Sequence, residues 1–283
     1  MVVKTSTTNV RGITPDQTSD LIVLPVERAS VAIQASTVIA TEATRTHIPL
    51  VTEDPSAAWV AEGDEIGASD PKLDDVIVEP AKIAGLTVVT NELARDSSPA
   101  AQNIIGDGLS RDIARKIDLA YFGSRGTNLV QPKGLGDLTG FTAVTAGTTW
   151  TNLDPFAEAI ANADGLGLTV DSFVANPADA LALAKLKETT TGSNKPLLGS
   201  DPTAATRRLL QGVPLLTSPG VAPGTVWGIP KVRAIVVRRL DVELDIDSSA
   251  YFTSDRTAIR AVMRVSFAFP HAAAIQKIKL AAA

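Results

Sequence analysis

Residues 57–99 read AAWVAEGDEIGASDPKLDDVIVEPAKIAGLTVVTNELARDSSP. The stretch opens as a strand around Trp59, continues through an acidic connection and returns as a β-rich run, Val76–Leu93, full of Val, Ile and Thr. Pro80 marks that run as an edge strand or one with a bulge. The ribbon shows no apolar stripe of its own to bury. From Glu53 to Glu79 it holds nine acids and one base, Lys72, a net charge of −8, whereas the whole chain carries −5. The remainder is therefore net basic by +3. A two-stranded ribbon is marginal alone in water, and one crowded with like charge is worse placed. Two readings follow: a solvated loop, or a ribbon that docks on a basic surface of another copy. In the second, Trp59 is an apolar anchor inside a charged rim formed by Glu62, Asp64, Glu65, Asp70, Asp74 and Asp75. The candidate basic partners are Arg95, Arg111, Arg115 and Lys116 around the next helix, and Arg260 and Arg264 near the C-terminus, with Arg256 beside them.

The ribbon runs into the strongest helix signal in the chain. Ser98 is a good N-cap and Pro99 suits the first helical position. Ile105, Leu109, Ile113, Ile117 and Tyr121 then recur every fourth residue, with Ile104 and Ala114 widening the stripe, and Gly123 stops it. Further on, Asp154–Pro155 and Asn176–Pro177 repeat the pattern of a capping residue followed by proline. They open "PFAEAIANAD", closed by Gly165, and "PADALALAKLKETT", followed by Gly192. "DSFVAN", "VPLLTS", "TVWGI", "KVRAIVV" and "DVELDID" read as strands; the last alternates acids with apolar residues, one wet face and one buried. "TAIRAVMRVSFAFPHAAAIQKIKL" reads as a strand returning to a core. Upstream, "LIVLPVERAS" begins the apolar region, "HIPLV" at 47–51 reads as a strand, and Met1–Asp20 reads as a polar, Thr-rich arm.

Composition narrows the function. The chain has 283 residues, enough for two lobes, and 45% hydrophobic against 20% charged residues fits a folded protein. No apolar run approaches the roughly 20 residues that span a bilayer, and the N-terminus lacks the apolar core of a signal peptide. Without cysteine there is no disulfide, no thiolate nucleophile and no Cys-based zinc site. A pI near 5.1 argues against tight duplex binding, which calls for a basic surface.

Little points to catalysis. His47 and His271, the two histidines, each read as structural, and no Gly-x-Ser-x-Gly elbow is present. "GLGDLTG" at 134–140 has its third glycine one residue late for a dinucleotide loop and lacks the flanking strand and helix. Asp245 and Asp247 read as a solvated strand face before a cation site. No cofactor is implied.

"AAWVAEGDEI", "VTNELARDSSP", "LSRDIARKIDLAYFGSRG" and "QPKGL", in that order, together with the C-terminal "YFTSDRTAIRAVMRVSFAFPHAAAI", resemble the major capsid proteins of tailed phages. The likeness runs from about Leu21 to Ile278. It implies an α+β, HK97-like (Hong Kong 97-type) fold: an N-terminal arm at 1–36, a peripheral domain at 37–148 with an extended loop at 45–89 and a spine helix at 98–122, an axial domain at 149–245, and a return to the peripheral domain at 246–283. It implies a structural protein of the virion, assembled in a bacterial host's cytoplasm. Pentamers and hexamers close an icosahedral head, and the extended loop of one copy overlies the peripheral domain of the next. Separate scaffolding and portal proteins, with or without a decoration protein, are the implied partners. DNA is enclosed without sequence-specific binding.

Some members weld neighbours through a Lys–Asn isopeptide bond. Lys72 fits the donor, but no asparagine follows Asn194, so the expectation is a non-covalent shell. The sequence begins close to the expected mature arm, which suggests that scaffolding is separate or not needed. Two rivals remain: an encapsulin-type nanocompartment of the same fold, and an α/β hydrolase or sugar-binding enzyme, which needs a concave site that the sequence does not assemble.

Overall fold

Two sheets and one long helix organise the chain. The computed structural model describes residues 24–53, 72–91, 100–188, 195–198, 208–239 and 243–281, and within the intervening tip residues 55, 57, 59–61, 63, 65, 67 and 70. The expected caps Ser98 and Pro99, and Gly192, lie outside these residues.

The first sheet has five strands: β1 (Thr37–Thr41), β4 (Ala81–Thr90), β10 (Ile235–Arg239), β11 (Glu243–Tyr251) and β12 (Arg256–Ala268). β12 is its axis. It pairs antiparallel with β4 from Arg256↔Thr90 to Val265↔Ala81 on one side, and with β10 and β11 on the other. β1 adds in parallel to β10. Helix α3 (Ala100–Phe122) packs on one face. Its stripe behaves as the periodicity demands: Ile113, Ala114, Ile117 and Tyr121 are buried, and Gly123 N–H closes the last turn on the Leu119 carbonyl at 3.0 Å. Gly85 lets β4 approach the helix, because a Cβ there would meet Leu109 Cδ1 at 2.8 Å.

The second sheet runs β5 (Thr142–Ala146), β13 (Gln276–Leu280), β9 (Thr225–Ile229), β6 (Ser172–Ala175), β8 (Val213–Thr217) and β7 (Leu209–Leu210). β6 is buried at all four positions, Phe173 and Ala175 facing one core and Val174 the other. The first of these cores takes Phe156, Ala159 and Ala163 from α4 (Asp154–Asp164) and Ala180 and Leu183 from α5 (Pro177–Ala184). The other joins the two sheets: Val174, Trp227, Ile229 and Ile275 from the second half of the fold pack with Tyr121, Met263 and Phe267 from the first.

Several expectations shift. The run Val76–Leu93 splits at Glu79–Pro80: the hairpin strand β3 (Lys72–Val78) ends before it, and β4 beyond it belongs to the first sheet. The expected loop span of 45–89 therefore contains a strand of another sheet. The C-terminal run also divides, at Pro270, into β12 in the first sheet and β13 in the second. Likewise β10, within 149–245, pairs in the first sheet, while β5 and β13, outside that range, pair in the second. Short 3₁₀ turns at Lys231–Arg233 and Ala272–Ala274, each just after a proline, carry the chain across. Asn176 caps α5 as expected, accepting from Ala178 N–H at 3.0 Å. Asp154 does not cap α4; it is the first helical residue, Leu153 holds the cap position, and the Asp154 carboxylate accepts from Asn152 instead. α5 stops at Ala184, and Leu186 accepts from Leu197 N–H at 2.8 Å in a bridge that replaces the expected longer helix.

Candidate assembly interface

The ribbon is a hairpin of β2 (Thr46–Glu53) and β3, paired antiparallel from Thr46↔Val78 to Glu53↔Lys72. Alternation gives it two faces. Ile48 and Val78 on one face are buried against Ile235, Val237 and Ala268 of the first sheet, with Ile39 and Val76 at the rim. The ribbon's root thus has an apolar patch that the sequence pattern hid among prolines and acids, and it packs within its own chain. The opposite face carries a ladder of charge. Arg45 pairs with Glu79 at 2.6 Å and His47 Nδ1 meets the Asp75 carboxylate. His47 thus satisfies a local hydrogen bond, as a solvent-facing partner of an acid. Among the described tip residues Trp59 has a relative exposure of 106%, and Val60, Glu65 and Asp70 are exposed with it, as are Asp74 and Asp75 in β3. Glu62 and Asp64 lie outside the described residues.

The candidate basic partners fall in three places. Arg111, Arg115 and Lys116 are exposed on α3. Arg260 is already engaged by Asp245 across the β11–β12 pair at 2.5 Å, and Arg264 is half-buried further along the same strand. Arg95 lies outside the described residues. Asp245 and Asp247 stand on a solvated strand face as expected; Asp247 accepts from both the backbone and hydroxyl of Ser249, which hold its carboxyl below the usual range.

Three features carried no recognisable sequence signal. Asp118, buried on the flank of α3, accepts from Ser30 Oγ at 2.6 Å, from the N–H groups of Val31 and Ala32 at 3.1 and 3.0 Å, and from Ser218 Oγ at 3.2 Å. It ties the root of the arm, α1 (Leu24–Ala29) and α2 (Val31–Gln34), to the long helix and to the loop after β8. Asp137 grips the turn after α3, accepting from Arg125 N–H at 2.8 Å and from Ser124 Oγ; these bonds pull its carboxyl below the ordinary range. The fixed turn presents Leu129 and Val130 at 76% and 73% exposure. "GLGDLTG" is part of this clamp: a Cβ on Gly134 would meet the Ala120 carbonyl oxygen at 2.1 Å, so the glycines admit the helix end, not a phosphate. Lastly, Lys277 Nζ lies 4.8 Å from the Phe141 ring and 4.9 Å from that of Trp227; burial, then the nearby Lys279, lowers its pKa.

Among the described residues no group of three or more His, Asp or Glu side chains is placed to hold a metal, and no helix is long and apolar enough to cross a membrane. A charged hairpin projecting from a sheet braced by a long helix, with a second sheet joined to it through one core, defines a capsid subunit of the Hong Kong 97-type fold. The phage capsid family model matches residues 12–280, and the chain belongs to that family. The fold is similar to the capsid of an empty GTA particle (TM-score 0.69, 19% identity, 90% of each chain). It is also similar to chains of Microbacterium phage Oxtober96 (0.68, 17%, 89% of this chain and 91% of that one) and Gordonia phage Cozz (0.68, 17%, 90% and 87%). In sequence, 76 residues are 33% identical to a capsid polyprotein of Pseudomonas phage PAJU2, covering 26% of this chain and 11% of that relative. By family and fold the chain is a structural protein of a phage shell.

Proposed function

We propose that the chain is the major capsid protein of a tailed double-stranded DNA phage and that pentamers and hexamers of it close an icosahedral head around the genome. In this reading the hairpin of one copy lies across α3 of the next. The first sheet and α3 form the peripheral domain, the second sheet with α4 and α5 forms the axial domain, and residues 1–36 form the arm. The observation that carries it is the hairpin of a capsid-family chain, rooted on Ile48 and Val78 but ending in a fully exposed Trp59 among acids. An indole left in water is a contact waiting for a partner, and Arg111, Arg115 and Lys116 offer the opposite charge. The shell is non-covalent, since no asparagine follows Asn194 to accept Lys72. Scaffolding and portal proteins act as separate partners, and assembly takes place in the host cytoplasm. An overall acidic wall suits a container into which DNA must slide, because each phosphate neutralised by a basic lining adds counterion-release affinity.

Expression of the chain followed by negative-stain microscopy tests the reading: hollow closed particles support it, and a strictly monomeric product at all concentrations refutes it. Trp59→Ala sharpens the test. It leaves subunit stability within about 0.5 kcal/mol, as for exposed substitutions in general, yet reduces particle yield several-fold. Full yield removes Trp59 from the interface.

A further inference from the structure

The two oxygens of the Asp118 carboxylate are shared between distant segments. Oδ1 accepts from Ser30 Oγ at 2.6 Å and from Ala32 N–H at 3.0 Å; Oδ2 accepts from Val31 N–H at 3.1 Å and from Ser218 Oγ at 3.2 Å. A carboxylate offers about four acceptor sites, so this one is filled by the arm root on one side and by the loop after β8 on the other. The arm root depends on it. α2 has four residues, too few to hold a helix by its own hydrogen bonds, and its first two N–H groups go to Asp118. Ser30 accepts from Ile33 N–H at 3.4 Å while donating to Asp118. Beside these contacts α2 does not pack closely on β8: a cleft of about 370 Å³, lined by Val31, Gln34 and residues 214–217, separates them. The loop side leads into the second sheet. Ser218 N–H donates to the Ala175 carbonyl at the end of β6 at 3.0 Å, and Ser218 Oγ accepts from Gly220 N–H at 3.2 Å. Asn176, the cap of α5, donates its side-chain amide to the Val221 carbonyl at 2.8 Å. Gly220 lies so near α3 that a Cβ there would meet the Asp118 carbonyl oxygen at 2.9 Å.

We propose that Asp118 makes the arm root and the loop after β8 one cooperative latch, so that displacing residues 30–35 loosens residues 218–221 and the reverse. Ser30, Asp118 and Ser218 are all buried. In such a site each hydrogen bond is strong because the opposite side keeps water out. When the arm root lifts, water enters beside the carboxylate and competes with the Ser218 hydroxyl. When the loop lifts, water competes with the N–H groups of α2. A coupling of this kind is equal in both directions. Both segments also bury apolar residues in the core between the sheets, Val26 and Ile33 from one and Val221 from the other. That contact is non-directional and tolerates small shifts of either segment, whereas a fully occupied buried carboxylate does not. The latch gives the chain a path from its arm to its second sheet: what moves the arm root is felt at the end of β6 and the start of α5. It is a property of the single chain and does not depend on the shell reading.

Hydrogen exchange on the full chain tests the latch. In the unaltered protein the amides of residues 32–35 and 218–221 are followed in rising urea. One latch gives both segments the same opening free energy, below that of β12, and the same denaturant slope; two distinct openings refute it. Ser218→Ala then removes the donor on the loop side without touching the arm root. It accelerates exchange at residues 32–35 several-fold, and Ser30→Ala accelerates exchange at Ser218 and Val221 by a similar factor. In both variants the amides of β12 keep their parental rates, which separates the latch from general destabilisation. Acceleration confined to the mutated side overturns the proposal, and so does a double variant in which the two single effects combine independently. The measurement on the unaltered protein decides the matter even where a variant does not fold. None of these results turns on particle formation, so failure of the latch leaves the capsid reading intact.

Discussion

Asp118 is a carboxylate with 5% exposure and four donors from two separate parts of the chain, residues 30–32 and Ser218. Hydrogen bonds to a charged acceptor are each among the stronger kind, and a buried donor left bare costs about 1–3 kcal/mol. Asp118→Ala strands two hydroxyls and two N–H groups at once and lowers subunit stability by about 3 kcal/mol or more; Asp118→Asn, which keeps one carbonyl oxygen, costs less. A urea midpoint unchanged in the alanine variant contradicts this account of the knot. One turn along, Tyr121 is buried with its hydroxyl 2.7 Å from Ser36 Oγ, and burial, then the charge on Asp118, raises its pKa above the ordinary 10.0. A folded-state pKa above the unfolded one means that the native state holds its proton more tightly. The contribution is complete below the unfolded pKa near 10.0 and is lost as pH climbs beyond it. Stability therefore falls as pH rises from about 10, where free tyrosine titrates. Tyr121→Phe flattens that decline while costing about 1 kcal/mol at neutral pH through the orphaned Ser36. Denaturation midpoints across the alkaline range, equal in slope for both proteins, count against Tyr121 as the source.

At the level of elements, glycine decides where α3 ends. Gly134 lies against the carbonyls of Ala120, Tyr121 and Gly123, and a Cβ there would come within 2.1 Å of the first. Those oxygens are backbone and cannot rotate aside. Gly134→Ala therefore forces the clamp off the helix end and costs about 3 kcal/mol or more, at the upper end for overpacking. Amide exchange around 118–125 rises with it, and a variant as stable as the parent shows that the turn is not tightly seated. The same region marks how far sequence reached. The stripe Leu109, Ile113, Ile117, Tyr121 is a local signal written at period 3.6, so α3 was legible, as were Gly123 as its stop and Asn176 as the cap of α5. The division of Val76–Leu93 and of the C-terminal run between sheets was not, because pairing partners are chosen by residues far away: Ala81 meets Val265 and Ile278 meets Val226. The hairpin's acidity and Trp59 were visible as composition. The bond between His47 and Asp75, and the Asp118 knot, were not, since each joins residues that no spacing rule connects.

At the scale of the molecule, charge is sorted in space as it is in sequence. The hairpin holds many of the acids, and the exposed face of α3 holds Arg111, Arg115 and Lys116, with Asp112 beside them. Arg260 is different, for Asp245 already engages it within the subunit, so in the docking proposed above α3 is the surface where a second copy's hairpin gains most. An exposed pair contributes about 0.2–1 kcal/mol, too little to order a hairpin by itself. A closed shell, however, repeats the contact at every subunit, and failure of one contact in each copy multiplies through the assembly. Arg111→Glu with Arg115→Glu turns the attraction into repulsion at positions that support no buried structure, so the subunit keeps its fold and its melting temperature. Particle yield falls several-fold at low salt and recovers in part near 1 M salt, where the Debye length shrinks to about 3 Å. That salt rescue separates electrostatics from misfolding, because a damaged subunit does not regain assembly when charges are screened. Sedimentation of the double variant at two ionic strengths reads the outcome, and particles formed at parental yield in low salt exclude the helix face as the hairpin's seat.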